Sequence, residues 1–302
     1  MEIVLPQGEG PKAPLQSPSG AGYLLLAGNV DRRAPLLPRS RTKRALVNAV
    51  SQSLAELAQS DTVVYADLFV ARLVAPGEGD KLLRRRGLSP ARFDVVLLIQ
   101  TVDPAGAVDL RAHPAYRELR RQITGAARHV FEVAGRNVRR IADVEHTKAS
   151  VYLFNYFYAD DAKRLIPVWE YTAGWFVTNT ALPDSEVIEP LAGERADFGI
   201  INHASWPRWS TFLPKLIFLP SFRRFVLGTF AANGIAAQPI LYRLEARHAH
   251  SDSVRVAGVL ELLISEPGGL AAPSLFDVVT GAAGNCWAVY TLSSAVRAGR
   301  RA

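Results

Sequence analysis

Apolar positions along this chain follow two spacings in turn. Tyr23-Leu24-Leu25-Leu26-Ala27 is a short continuous run, long enough for a buried strand and too short for a helix. Asn29 to Arg39 carries Asp31, Pro35 and Pro38 and reads as a loop. Ser40 can cap a helix whose stripe, Leu46, Val47, Val50, Leu54 and Leu57, fits only the 3.6-residue period. Thr62 to Val74 is rich in Val, Tyr, Phe and Leu and predicts a strand. Pro76 to Ser89 is charged and reads as a loop with a short helix at Lys81 to Arg86. Phe93 to Thr101 is the next strand. Pro114 opens a helix at its first turn, where a missing N–H is harmless, with the stripe Tyr116, Leu119, Ile123 and Val130. Val138 to Val144 is either a fourth strand or more helix.

The order then recurs. Val151 to Tyr158 is an aromatic strand, and Asp160-Asp161 suits the positive end of a helix burying Leu165, Ile166, Trp169, Ala173 and Phe176. Glu186 to Leu191 and Phe198 to Ala204 predict strands, Phe222 to Ala232 a helix stopped by Asn233-Gly234, and Pro239 to Leu244 a closing strand. The reading is α+β: a tail over 1–20, a βαββαβ unit over 21–148, a second over 149–250, and an extension of unassigned role over 251–302. Within the extension, Val254 to Ile264 is apolar and Leu292 to Arg301 suits a short helix.

Composition narrows the partners. Net charge is +7, but the arginine pairs fall on different predicted elements rather than on one aromatic-interleaved face, so no nucleic-acid partner is expected. A lone Cys286 forbids an internal disulfide and any cysteine-based zinc cluster. The start of the chain lacks a basic, then apolar, leader pattern. Gly268 to Val296 is too rich in Gly, Ala, Ser and Thr to insert strongly, so a membrane partner is not expected. Amphipathic Phe222 to Phe230, with Arg223-Arg224, leaves peripheral association as a remote option. A cytoplasmic protein acting on a small molecule is the expectation, with a homo-oligomer allowed.

Phe154-Asn155-Tyr156-Phe157, the helix ending Ala173-Gly174-Trp175, and Ile201-Asn202-His203 together resemble the EthD-like and antibiotic-biosynthesis-monooxygenase-like members of the dimeric α/β barrel superfamily. The resemblance implies tandem ferredoxin-like repeats packed as an intrachain barrel. It implies a cofactor-free monooxygenase, isomerase or lyase, or a haem enzyme, or a protein without catalysis. It assigns no residue a role.

Candidates therefore come from the residues themselves. His203, at a strand end, could be a general acid or base, or a haem ligand, a role for which His129 is the other candidate; the plain alternative is a structural histidine bonded to backbone. Asn155 is a lone amide in an aromatic strand and needs a partner, costing about 1–3 kcal/mol without one. Period two places it with Leu153 and Phe157, opposite Tyr152, Phe154, Tyr156 and Tyr158; either face could line a cavity. His203 is the expected catalytic residue, with Asn155, Tyr156, Asn202, Trp206 and Arg243 as substrate contacts. His146 lies among charges and reads as solvent-exposed, and the His248/His250/Asp252 spacing is a weak metal pattern. No phosphate loop or nucleophile elbow occurs. A void above roughly 300 Å³ exposing His203 or Asn155 would favour an enzyme, and a filled interior a binding or assembly protein.

Overall fold

The computed structural model describes residues 3–31, 38–147 and 151–249. The elements are β1 (Gly22–Asn29), α1 (Arg41–Leu57), β2 (Val63–Val74), α2 (Asp80–Arg85), β3 (Val95–Thr101), α3 (Pro104–Asp109), α4 (Pro114–Ala126) and β4 (His129–Ala142). They continue with β5 (Val151–Ala159), α5 (Leu165–Thr180), β6 (Asp184–Pro190), β7 (Ile200–Trp206), α6 (Trp209–Phe218), a π-helical turn at Phe222–Leu227, α7 (Gly228–Ala232) and β8 (Ile235–Ala249). The eight strands close into one barrel in the order β1-β3-β2-β8-β5-β7-β6-β4, and every ladder is antiparallel. Closure leaves no free sheet edge among these strands.

Strand alternation sorts the apolar residues into layers. One set fills the barrel: Tyr23 and Leu25 from β1, Phe69 from β2, Val96 and Leu98 from β3, Tyr152, Phe154 and Tyr156 from β5, and Tyr242 from β8. The intervening residues of β1 to β3, such as Leu24, Leu68 and Leu97, pack under the stripe of α1 (Leu46, Val50, Leu54) and that of α4 (Tyr116, Leu119, Ile123). Those of β5 to β8, such as Leu153, Ala204 and Leu241, pack under α5, α6 and the π-helical turn. The aromatic face of β5 is therefore the inner one. Ser40 caps α1 as expected, its side chain accepting from the backbone N–H of Lys43.

Four expectations change. Val130 belongs to β4, not to the α4 stripe, because Ala127 is already extended and β4 must reach His129 to pair with Asn29. Pairing of β4 with β6, through Arg139–Val187, Arg140–Glu186 and Ala142–Ser185, decides Val138 to Val144 in favour of strand up to Ala142. The helices α3 and α6 are additional; Pro214 inside α6 hides it from a sequence reading. The tail expected over 1–20 is, from residue 3, a strap across the second half. Val4 and Asn233 exchange hydrogen bonds of 2.8 Å, and Tyr171 Oη donates to the Gly8 carbonyl at 2.6 Å. Gly174 admits the Pro11 carbonyl where a Cβ would come within 1.7 Å of it. The strap finishes at Ser19, whose N–H donates to Asn137 Oδ1 at 3.0 Å. The expectations over Val254 to Ile264, Gly268 to Val296 and Leu292 to Arg301 lie outside the described residues.

Candidate active site

One end of the barrel gathers polar side chains. There β1, β2, β5 and β6 begin and β3, β4, β7 and β8 finish. The connection from β4 to β5 turns into this end and inserts His146, which is 3% exposed. Asp184 pins that connection by accepting from the Glu145 N–H at 3.3 Å, while Ser205 donates to the same carboxylate through its N–H (2.9 Å) and hydroxyl (2.7 Å).

His146 joins two strands. Its Nδ1 lies 2.5 Å from Asp67 Oδ2 on β2, and its Nε2 lies 2.9 Å from Nε2 of His203 on β7. His203 Nδ1 lies 3.0 Å from the carbonyl oxygen of Leu153. These contacts fix the proton inventory. A carbonyl only accepts, so His203 Nδ1 carries the proton and its Nε2 accepts. His146 Nε2 must then donate, and in a neutral ring that leaves its Nδ1 as acceptor. The remaining proton sits on Asp67. Burial argues the same way: desolvation pushes Asp67 up to about 7, against the pull of Arg247 at 3.4 Å, holds His146 down to about 3, and holds His203 well below its ordinary value. Below about pH 7 the relay is therefore neutral, with Asp67 as its acid.

Glu186 is the second buried carboxyl. In the β6–β7 ladder it stands opposite His203, so both side chains leave the sheet on its inner face. Tyr23 Oη donates to Glu186 Oε2 at 2.7 Å, and Gln100 Nε2 donates to Tyr23 Oη at 3.0 Å. Desolvation raises Glu186 to about 8, the Tyr23 hydrogen bond offsetting part of it. Burial raises Tyr23 and Tyr65 as well, chiefly by desolvation and then by the nearby Glu186, so both stay protonated donors. A cavity of about 240 Å³ opens onto this group, lined by Tyr65, Gln100, Thr101, Asp143 and Glu186, together with Ser19 at the end of the strap and Ala21 just beyond it.

The expected site residues separate. His203 is inside the barrel, stacked on Phe154 at 4.2 Å and fully buried, in the relay but not on the cavity wall. Tyr156 is inside too, packed against Phe93 and Phe198 at ring-centroid distances of 5.1 and 5.4 Å. Asn155 does not neighbour His203. The register pairs Asn155 with Asn202 and Phe154 with His203, and a one-residue step changes face. Asn202 lies under α5, accepting from Trp169 Nε1 (2.8 Å) and Ser185 Oγ (2.7 Å), while Asn155 Oδ1 is buried without a hydrogen-bond partner among the described residues. Trp206 stacks on Phe212 at 4.4 Å outside the barrel, and Arg243 is exposed on the outer face. The solvent-exposed reading of His146 is overturned.

Sequence reasoning passed over Asp67, Glu186, Tyr23, Gln100 and Tyr65. A signal was present for Asp67, the single acid inside an apolar strand, since a lone strand acid needs a partner as much as a lone amide does; Glu186 shares β6 with Asp184 and Glu189 and does not stand out in this way.

Haem does not fit the histidines. Both ring nitrogens of His203 are engaged, and its ring is sealed by aromatics. His129 is exposed at the start of β4, the opposite end of the barrel, against Phe93.

No family model matches the chain. Curated relatives from Mycobacterium tuberculosis and Mycobacterium bovis, described as "Probable 3-hydroxyisobutyrate dehydrogenase", are 66% identical over 29 residues. That match spans about a tenth of the relatives' length and 10% of this chain. Among solved structures, an anthrone oxidase-like protein superposes with a TM-score of 0.56 at 8% identity, over 79% of this chain and 97% of that one. A "putative monooxygenase" from Lactobacillus acidophilus NCFM gives 0.44 at 4% identity, over 77% and 97% of the two chains. A structure described as a "Putative Chlorite dismutase" gives 0.42 at 8% identity, over 74% and 94%. The closed antiparallel barrel with helices packed on its outside superposes on the anthrone oxidase-like structure, so the two chains share a fold.

Proposed function

We propose that the chain is a small-molecule enzyme whose chemistry begins with proton transfer at Glu186. The observation that carries this reading is a buried carboxyl, raised to about 8, on the wall of a cavity and held by Tyr23. A general base is most effective when its pKa lies near the working pH. Cofactor-free oxygenases, isomerases and lyases share such a step: removal of a weakly acidic proton to leave an enolate or phenolate. Tyr65 and Gln100 supply hydrogen bonds for the oxygen that gains charge. The cavity is a little below the roughly 300–1,000 Å³ of drug-sized pockets, so the substrate is compact.

The barrel supports a tandem origin. Within 22–142 the strands lie in the order β4-β1-β3-β2, and within 151–249 in the order β8-β5-β7-β6. Numbered within each half, both orders are fourth, first, third, second, that of a ferredoxin-like unit. We read the halves as 21–148 and 149–250, joined through β2–β8 and β4–β6.

The anthrone oxidase-like structure suggests a probe. Anthrone is a planar ketone that loses a ring-methylene proton to become an aromatic enolate. Loss of deuterium from that methylene, followed by NMR, should be accelerated by the protein, with a rate that climbs with pH and levels above about 8. Glu186→Gln should lower it by roughly 10²–10⁴-fold. Oxygen uptake reports separately whether oxidation follows. Exchange no faster than in buffer, or unchanged in the variant, defeats the reading of Glu186.

The filled mid-barrel favours a second reading. His203 and Asn155 are buried and neither lines the cavity at Glu186, as a binding or assembly protein would have it. Tight anthrone binding without exchange would select that alternative.

A further inference from the structure

Between Asp197 and Glu245 the chain contains no acidic residue, while Arg208, Lys215, Arg223, Arg224 and Arg243 all fall in that interval. The structure gathers part of this charge around one apolar tip. The helix α6 buries Phe212 and Leu216 and ends at Ile217-Phe218. Leu219 is extended, and Pro220 turns the chain into the π-helical turn. Ile217 is 50% exposed and Phe218 77%, the highest value among the large apolar side chains described. Lys215, Arg223 and Arg224 flank the tip; all are exposed, and none forms an ion pair with an acid among the described residues. Elsewhere on the surface some arginines, such as Arg86, Arg120, Arg121 and Arg136, have a carboxylate partner, and others, such as Arg41, Arg44 and Arg117, have no ion pair among the described residues; what marks the tip is free cations beside protruding apolar side chains.

We propose that this tip is a peripheral docking site for an anionic lipid surface, with Phe218 and Ile217 entering the headgroup layer and Lys215, Arg223 and Arg224 contacting acidic lipids. Three observations select this occupant. The apolar side chains protrude at the end of a helix, so they match a partner that deforms around them better than one that needs a groove. A second copy would bring two patches of the same sign together across a two-fold axis, which repulsion opposes. A ring of cations around a short apolar apex matches the layering of an anionic membrane, with negative charge outside and hydrocarbon beneath. No described helix is long and apolar enough to cross a membrane, so the contact is one of attachment to a surface.

The test is co-sedimentation of the full chain with vesicles of phosphatidylcholine, alone or mixed with phosphatidylserine. The chain should bind the mixed vesicles and largely ignore the neutral ones, and added salt should weaken binding. Ile217→Ser combined with Phe218→Ser, and separately Arg223→Gln combined with Arg224→Gln, should each lower the partition coefficient roughly tenfold or more. Circular dichroism checks that each variant keeps its fold. Arg84→Gln with Arg85→Gln, an equal charge change on α2, should leave binding nearly unchanged. Equal binding to both vesicle types, retention by either tip variant, an equal loss in the α2 control, or no binding at all overturns the proposal. The last outcome would leave an acidic protein as the partner to seek.

Discussion

Glu186→Gln offers a direct measurement of the proton held at the cavity. In the folded chain burial raises this carboxyl to about 8 from an ordinary 4.5. A raised carboxyl keeps its proton while the unfolded chain releases it. Its contribution is therefore fully present below about pH 4.5, falls as pH rises, and is lost through pH 8. The whole displacement corresponds to about 5 kcal/mol as an order of magnitude. Between pH 6.5 and 8 linkage gives a loss of about 1.5 kcal/mol, slightly under one 1.36 kcal/mol step per pH unit because Glu186 is half ionised at its own pKa. Glutamine preserves the acceptor for Tyr23 but cannot ionise. It also adds a buried NH₂, an offset of about 1–3 kcal/mol that does not vary with pH. The difference in slope between variant and wild type thus isolates Glu186. Urea unfolding at intervals from pH 6.5 to 8 should show the variant gaining about 1.5 kcal/mol relative to wild type. Parallel stability curves would mean the carboxyl is already ionised at pH 6.5, and the assignment of Glu186 as a poised base would fall with it.

Two further expectations follow from the buried contacts. Asp67→Asn should stay within about 1 kcal/mol of wild type, because an amide N–H can replace the acid proton donated to His146 Nδ1, whereas Asp67→Ala, which leaves that nitrogen unpaired, should cost about 1–3 kcal/mol. Urea unfolding compares them, and equal damage from both would show that a carboxylate, not an acid, sits there. Gly174→Ala should displace the strap, since the new methyl would meet the Pro11 carbonyl at 1.7 Å; faster limited proteolysis within residues 3–18, with the barrel intact, is the expected readout.

Much of the architecture was legible because burial at one period leaves a local trace. The α1 stripe, the Ser40 cap, the Asn233-Gly234 stop and the apolar strands follow from side-chain spacing alone. So did the two faces of β5, with Tyr152, Phe154 and Tyr156 opposite Leu153, Asn155 and Phe157. Pro214 concealed α6, and polar, proline-rich composition made the strap look like a free tail. His146 was misjudged for the same reason: its neighbours Asp143 and Glu145 are charged, yet the turn that carries them closes the barrel.

By itself, then, the sequence determined most of the elements, the division of each strand into two faces, and the presence of unusual polar groups within apolar strands. It could not say which face was inner, because both faces of a strand buried on both sides are apolar. Register and closure decided that. Pairing Asn155 with Asn202 sent both amides under α5, while pairing Phe154 with His203, and His203 with Glu186, turned those groups into the barrel. Asp67, His146 and His203 are far apart along the chain, and only the closed ring of strands, plugged by the β4–β5 connection, brings their nitrogen and oxygen atoms within hydrogen-bonding distance. The desolvation that shifts Asp67 and Glu186 is likewise a property of that enclosure, which no local pattern of residues encodes.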